Sequence, residues 1–173
     1  PNDTQTGTLT FYPAGQAAIQ RSFSLQPGQS ATYRDIVKNT FGLDQASGQL
    51  HIVSLVGIPV EARARIFNSG NPVGEFGQGI EGIGLEWLQT QAVLFGLDGT
   101  QAGRVNVGIA NPNDTPVSAW MQIYDKNRTE LHPYEYFTVA PHETRQFNDI
   151  FALYGIPPQD TVTVTFYSTG VDA

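Results

Sequence analysis

The sequence predicts an all-β protein built from two tandem antiparallel β-sandwich units, each carrying one short helix. Three observations predict it: the chain repeats itself at a long spacing, its apolar residues alternate with a period of two, and Gly, Pro and Asn turns interrupt it at short intervals. Pro1-Asn2-Asp3-Thr4 returns as Pro112-Asn113-Asp114-Thr115, and Tyr12 returns as Tyr124. Pro27 and Pro141, Asp35 and Asp149, and Ser54 and Ser168 all keep one common offset of 114. A slowly drifting offset means that gaps fall only in loops. A spacing near 110 residues is the size of a domain and far above the roughly 20–50 residues of a solenoid unit. The units are placed at 1–80 and 92–173, with a packed connector over 81–91.

In the first unit, Leu9 and Phe11 alternate with Thr8, Thr10 and Tyr12, and Ile19, Phe23 and Leu25 alternate with Gln20, Ser22 and Ser24. Each run reads as a strand with one buried face. Pro13-Ala14-Gly15 and Pro27-Gly28 are turns, where Pro fixes φ and Gly permits φ > 0. Asp35 is placed as the N-cap of a short helix that Gly42 closes, and Asp149 takes the same role in the second unit, giving helices near 35–41 and 148–154. Leu50, Ile52 and Ser54 form a further strand, followed by one over 59–67 with Glu61, Arg63 and Arg65 on its polar face. In the irregular stretch 68–91, the five glycines over 74–84 are interleaved with or followed by Ile80, Ile83, Leu85, Trp87 and Leu88, which argues for a segment packed at the junction of the units. The second unit follows the same pattern through 93–95, 105–109, 119–124, 136–139 and 161–167. The alignment leaves the first unit without its first strand and the second without its last.

Three stretches carry a resemblance: Gly103-Arg-Val-Asn-Val-Gly-Ile-Ala-Asn-Pro112, the Leu25-Gln-Pro-Gly-Gln-Ser30 run continuing to Phe41-Gly42, and Arg65-Ile-Phe-Asn68 with Gly74-Glu-Phe-Gly-Gln-Gly-Ile80. This pattern resembles tandem Ig-like β-sandwich repeats of large secreted bacterial proteins. The resemblance implies Ig-like units, an extracellular or cell-surface setting and a non-catalytic role, and it transfers no catalytic residue.

Composition bounds the chemistry. A net charge of −7 argues against a nucleic-acid partner, since phosphate binding needs a basic face. No apolar run is long enough to span a bilayer, so membrane insertion is not expected. With no cysteine, disulfides, thiolate metal sites and cysteine nucleophiles are excluded. His51, His132 and His142 lack the spacing of a metal motif, and His51, opposite Leu50 and Ile52, reads as a surface residue. Asp125-Lys-Asn127-Arg-Thr129-Glu130 lacks the glycine and distal glutamate of a calcium loop and reads as a hairpin turn. No nucleophile elbow or phosphate loop occurs. No catalytic residue, metal or cofactor is therefore expected.

Asn2, Asn113 and Asn127 each head an Asn-x-Thr sequon and are candidate glycosylation sites. Trp87, Trp120 and the seven tyrosines are candidates for a glycan platform, with Trp87 and Trp120 also candidates for an interface. Trp120 lies on the face opposite Met121 and Ile123, so either it or they point outward. The reading is a structural or adhesive extracellular protein that assembles head-to-tail by strand complementation; the alternative is a carbohydrate-binding module of a secreted hydrolase. Expected partners are further copies of the chain or other extracellular proteins, with a glycan as the second class.

Overall fold

The computed structural model describes residues 3–56, 60–68, 76–100 and 104–169. They form an all-β protein with two one-turn helices. Strands β1 (Gln5–Pro13), β2 (Ile19–Leu25) and β3 (Gly48–Ser54) make an antiparallel sheet of order β2-β1-β3, and the helix α1 (Ile36–Asn39) precedes β3. A separate hairpin follows, β4 (Arg63–Asn68) with β5 (Phe76–Glu81), then a 3-10 turn at Leu85–Trp87.

The second half holds β6 (Gln91–Leu97), β7 (Val107–Ala110), β8 (Val117–Tyr124), β9 (Glu130–Val139), β10 (Thr144–Phe147), the helix α2 (Ile150–Leu153) and β11 (Val162–Ser168). A four-stranded sheet of order β6-β11-β8-β9 faces the pair β10-β7. The order β9-β8-β11 repeats β2-β1-β3.

Strict alternation in β8 sends Val117, Ala119, Met121 and Ile123 inward, against Val162, Val164 and Phe166 of β11 and against Val107 and Phe147 of the smaller sheet. Met121, Ile123, Val162 and Val164 are completely buried. The first half has a smaller core, in which Leu9, Phe11, Phe23 and Phe41 are buried and the Phe11 and Phe41 rings stack 5.3 Å apart.

The difference between the halves is sharpest in the strands that the repeat makes equivalent. Leu50 and Ile52 of β3 face the same side as Leu9 and Phe11, yet remain 36% and 37% exposed, whereas their counterparts Val164 and Phe166 are 0% and 3% exposed. The cause is topological. β11 is flanked by β6 and roofed by β7 and β10, while among the described residues β3 pairs only with β1 and no second sheet lies over it. Residues 30–33, which correspond to β10, are not in a strand.

The connector departs from the sequence expectation. Ile83, Leu85 and Trp87 are each 71% exposed, and Ile80 is also exposed, so 81–91 is not a packed connector. Apolar composition reports burial only on average, and here the contact between the halves is made elsewhere, by turns of the second half. The 3-10 turn is held by Trp87 N–H to the Gly84 carbonyl at 3.0 Å and Leu88 N–H to the Leu85 carbonyl at 3.2 Å. Chymotrypsin is accordingly expected to cut the dilute chain after Leu85 or Trp87 before any bond in β8 or β11. Fragment masses over a time course check this, and survival of that segment while β8 is cut would show it to be covered in solution.

Among the described residues no helix is long and apolar enough to cross a membrane.

Candidate functional site

Local backbone geometry explains the repeated aspartates differently from simple capping. Asp35 and Asp149 both stand at helix N-caps in the left-handed region, with φ 47° and 48°. The Asp35 carboxylate accepts no capping hydrogen bond, and that of Asp149 accepts one from Ala152 N–H at a long 3.5 Å. The capping expectation therefore fails at Asp35, and its bond is weak at Asp149. Aspartate suits both positions because its short polar side chain tolerates positive φ better than most residues do. Gly42 and Gly155, both at positive φ, close the two turns.

A third equivalent pair leads to the junction. Pro27-Gly28 and Pro141-His142 occupy matching turns, and both second residues have positive φ, 72° at Gly28 and 55° at His142. Glycine takes that conformation freely, whereas histidine is strained there. The strain is compensated by what the imidazole touches. It stacks on Tyr12 with centroids 3.8 Å apart, meets His51 edge-on at 5.3 Å, and its Nε2 lies 2.8 Å from Asp114 Oδ1.

Tyr12 and His51 project from the outer face of the first sheet, and His51 is itself 4.7 Å from Tyr12. Gln49, on the same face, donates from Nε2 to the carbonyls of Asn111 (3.0 Å) and Glu143 (2.8 Å). Those donations leave Gln49 Oε1 as the acceptor for His51 Nε2–H at 3.1 Å, which fixes the His51 tautomer. Burial lowers the His51 pKa, His142 lowers it further, and Asp114 opposes both. His142 Nδ1 and Asn113 Nδ2 are buried with no hydrogen-bond partner among the described residues. His51 thus belongs to a junction between the halves rather than to open surface.

The remaining candidates are dispersed. His132 packs on Tyr154, with centroids 4.0 Å apart, and lies 3.5 Å from Glu135. Burial first, and then Glu135, push the Tyr154 hydroxyl up to about 12. Asp125 Oδ1 accepts backbone N–H bonds from Asn127 (2.8 Å) and Thr129 (2.7 Å) across the β8–β9 turn, and the Thr129 amide in particular holds its carboxyl below the usual range. Of the sequons, Asn127 is exposed on that turn, Asn113 has its amide nitrogen buried at the junction, and Asn2 lies outside the described residues. A buried amide nitrogen cannot take a glycan without opening the junction.

Trp87 and Trp120 are not brought together. Trp87 stands exposed in the connector, and Trp120 lies on the outer face of β8, opposite the buried Met121 and Ile123. There Trp120 stacks on Tyr167 (5.4 Å, 11° between planes) and meets Tyr136 at 6.0 Å, and Tyr136 in turn stacks on Tyr134 at 5.8 Å. Sequence reasoning missed Tyr12 and Gln49 as junction residues, and it did not single out Tyr134, Tyr136 and Tyr167 among the seven tyrosines as one row. The available signal was His142 standing where the other turn has glycine.

No protein-family model, no curated protein and no solved structure matches this chain.

Proposed function

We propose that the chain is a non-catalytic structural or adhesive protein of the cell exterior, whose tandem Ig-like units complete one another by strand complementation between molecules. The observation that carries this reading is the open apolar side of β3, where Leu50 and Ile52 stay exposed while the equivalent residues of β11 are sealed. A sheet edge with unpaired N–H and C=O groups beside apolar side chains is a template for another strand.

The hairpin β4–β5 offers a matching surplus, since Ile66 and Ile80 are exposed and its strands pair only with each other among the described residues. Covering each such side chain is worth about 1.5–3 kcal/mol. The second half carries its own opening, a cleft of about 120 Å³ between β6 and β7 lined by Leu88, Ala92, Leu94, Ile109, Val117 and Phe166. Donor and acceptor surfaces on different parts of one chain make a head-to-tail contact, which grows into an open filament unless its rotation closes a ring.

Sedimentation velocity over a concentration series tests the reading. Association that rises with concentration, and that Ile66→Asp with Ile80→Asp suppresses, is expected. A stable monomer at micromolar concentration with cooperative unfolding would rule it out.

A further inference from the structure

The outer face of the four-stranded sheet does not read as an ordinary solvated surface. Register places Gln91, Tyr167, Trp120 and Tyr136 side by side across β6, β11, β8 and β9, and Tyr134 extends the row along β9. These side chains point away from the core by the alternation of each strand. An antiparallel sheet with one solvated face normally carries polar residues there. Here Tyr136 is 71% and Tyr134 50% exposed, while Gln122 and Thr165, also on this face, are buried. The aromatic layer therefore lies over a polar floor, in which Gln122 Nε2 is 3.4 Å from Glu130 Oε2.

Charge selects the ligand class. The chain carries a net −7, yet the row itself is built of aromatic and amide side chains; Glu130 reaches the floor beside it through Gln122, and Arg128 stands at the β8–β9 turn. Among the described residues of this face no cluster of basic residues is present to hold a phosphate or an acidic sugar, and Glu130, bonded to Gln122, is not part of any group of ligating residues that could hold a cation. The face offers π surfaces, phenol hydroxyls and flanking neutral groups at Gln91, Ser118 and Thr138. A pyranose ring matches this pattern: its C–H face is weakly electropositive and fits the negative face of an aromatic ring, while its hydroxyls at the rim exchange hydrogen bonds with amides and hydroxyls. Ring-to-ring steps of 5.4 and 6.0 Å across the sheet and 5.8 Å along β9 form an open row rather than a pocket, so the matching ligand is a chain rather than a single sugar.

We propose that this face binds an extended, neutral polysaccharide, with successive sugar rings resting on Tyr134, Tyr136 and the Trp120–Tyr167 stack. The site lies on a different surface from the open side of β3, so it does not depend on strand complementation.

The test uses the full chain with three probes: insoluble cellulose, insoluble chitin, and β-1,4-xylan cast in native gels. Retention by at least one probe is expected, with Tyr134→Ala/Tyr136→Ala weakening it about tenfold or more, the equivalent of about 1.4 kcal/mol. Because the row is built of aromatic and amide side chains, about 0.5 M NaCl is expected to leave retention unchanged. Both tyrosines are exposed, so unchanged thermal melting confirms that the variant is folded. Failure to bind all three probes, equal binding by the double variant, or loss of binding in salt would overturn the proposal. So would a finding that these tyrosines instead mediate association of copies, seen by sedimentation without polysaccharide.

Discussion

Ile123→Ala is expected to lower the stability of the second half by roughly 2–5 kcal/mol, the range for truncating a completely buried aliphatic side chain. Ile123 has no solvent exposure and packs in a core fed by both sheets, so little can collapse into the space it leaves. Ile52→Ala in the first half is expected to cost well under half as much in dilute solution, because Ile52 is already more than a third exposed. Hydrogen exchange separates the two effects. Ile123→Ala should strip protection from the amides of β8 and β11, and Ile52→Ala should leave those of β1 largely protected. The comparison also reports on assembly. If copies cover β3, the cost of Ile52→Ala should grow with protein concentration. Equal costs at both positions under dilute conditions would mean that the side of β3 is not open in solution.

The all-β class and both helical turns were legible because they rest on local chemistry: a period of two in the apolar residues, Pro and Gly at turns, and Asp followed by Gly around each helix. The outward position of Trp120 was legible as one of two options, since alternation sets it against Met121 and Ile123 and the structure buries the latter pair. What could not be read was burial that depends on distant partners. Leu50 and Ile52 have the same pattern as Val164 and Phe166, and only the presence of a flanking strand and a facing sheet distinguishes their environments. The connector shows the same limit from the other side, because Ile83, Leu85 and Trp87 have core-like composition but no surface to pack against among the described residues. The aspartates at 35 and 149 were placed correctly at the helix starts, but the reason for them is backbone conformation more than a side-chain bond.

Acidification is expected to loosen the junction between the halves, and His51 sets the direction. Its pKa is lowered from the ordinary value near 6.5, chiefly by burial and next by His142, so the folded junction favours the neutral imidazole. As the pH falls through that value, the unfolded or opened chain binds more protons than the closed one. Stability therefore rises with pH in this window, is fully present above about 6.5, and declines as the pH drops toward the folded-state pKa. The groups around the imidazole explain why. A proton on His51 faces the His142 ring 5.3 Å away and the Tyr12 ring 4.7 Å away, while Asp114, the acid that favours the charged form, is bonded to His142 and highly exposed. Glu143 is turned back to accept from Ala140 N–H at 2.7 Å. Small-angle scattering from about pH 7.5 to about pH 5 should show the radius of gyration rising in dilute protein, with exchange quickening at the amides of residues 49–52. His51→Gln keeps a donor for Gln49 Oε1 but cannot titrate, so its acid response should be clearly weaker than that of the parent chain. An equally strong acid response in that variant would move the effect away from His51, and no response in the parent chain would show that the junction holds regardless of its imidazoles.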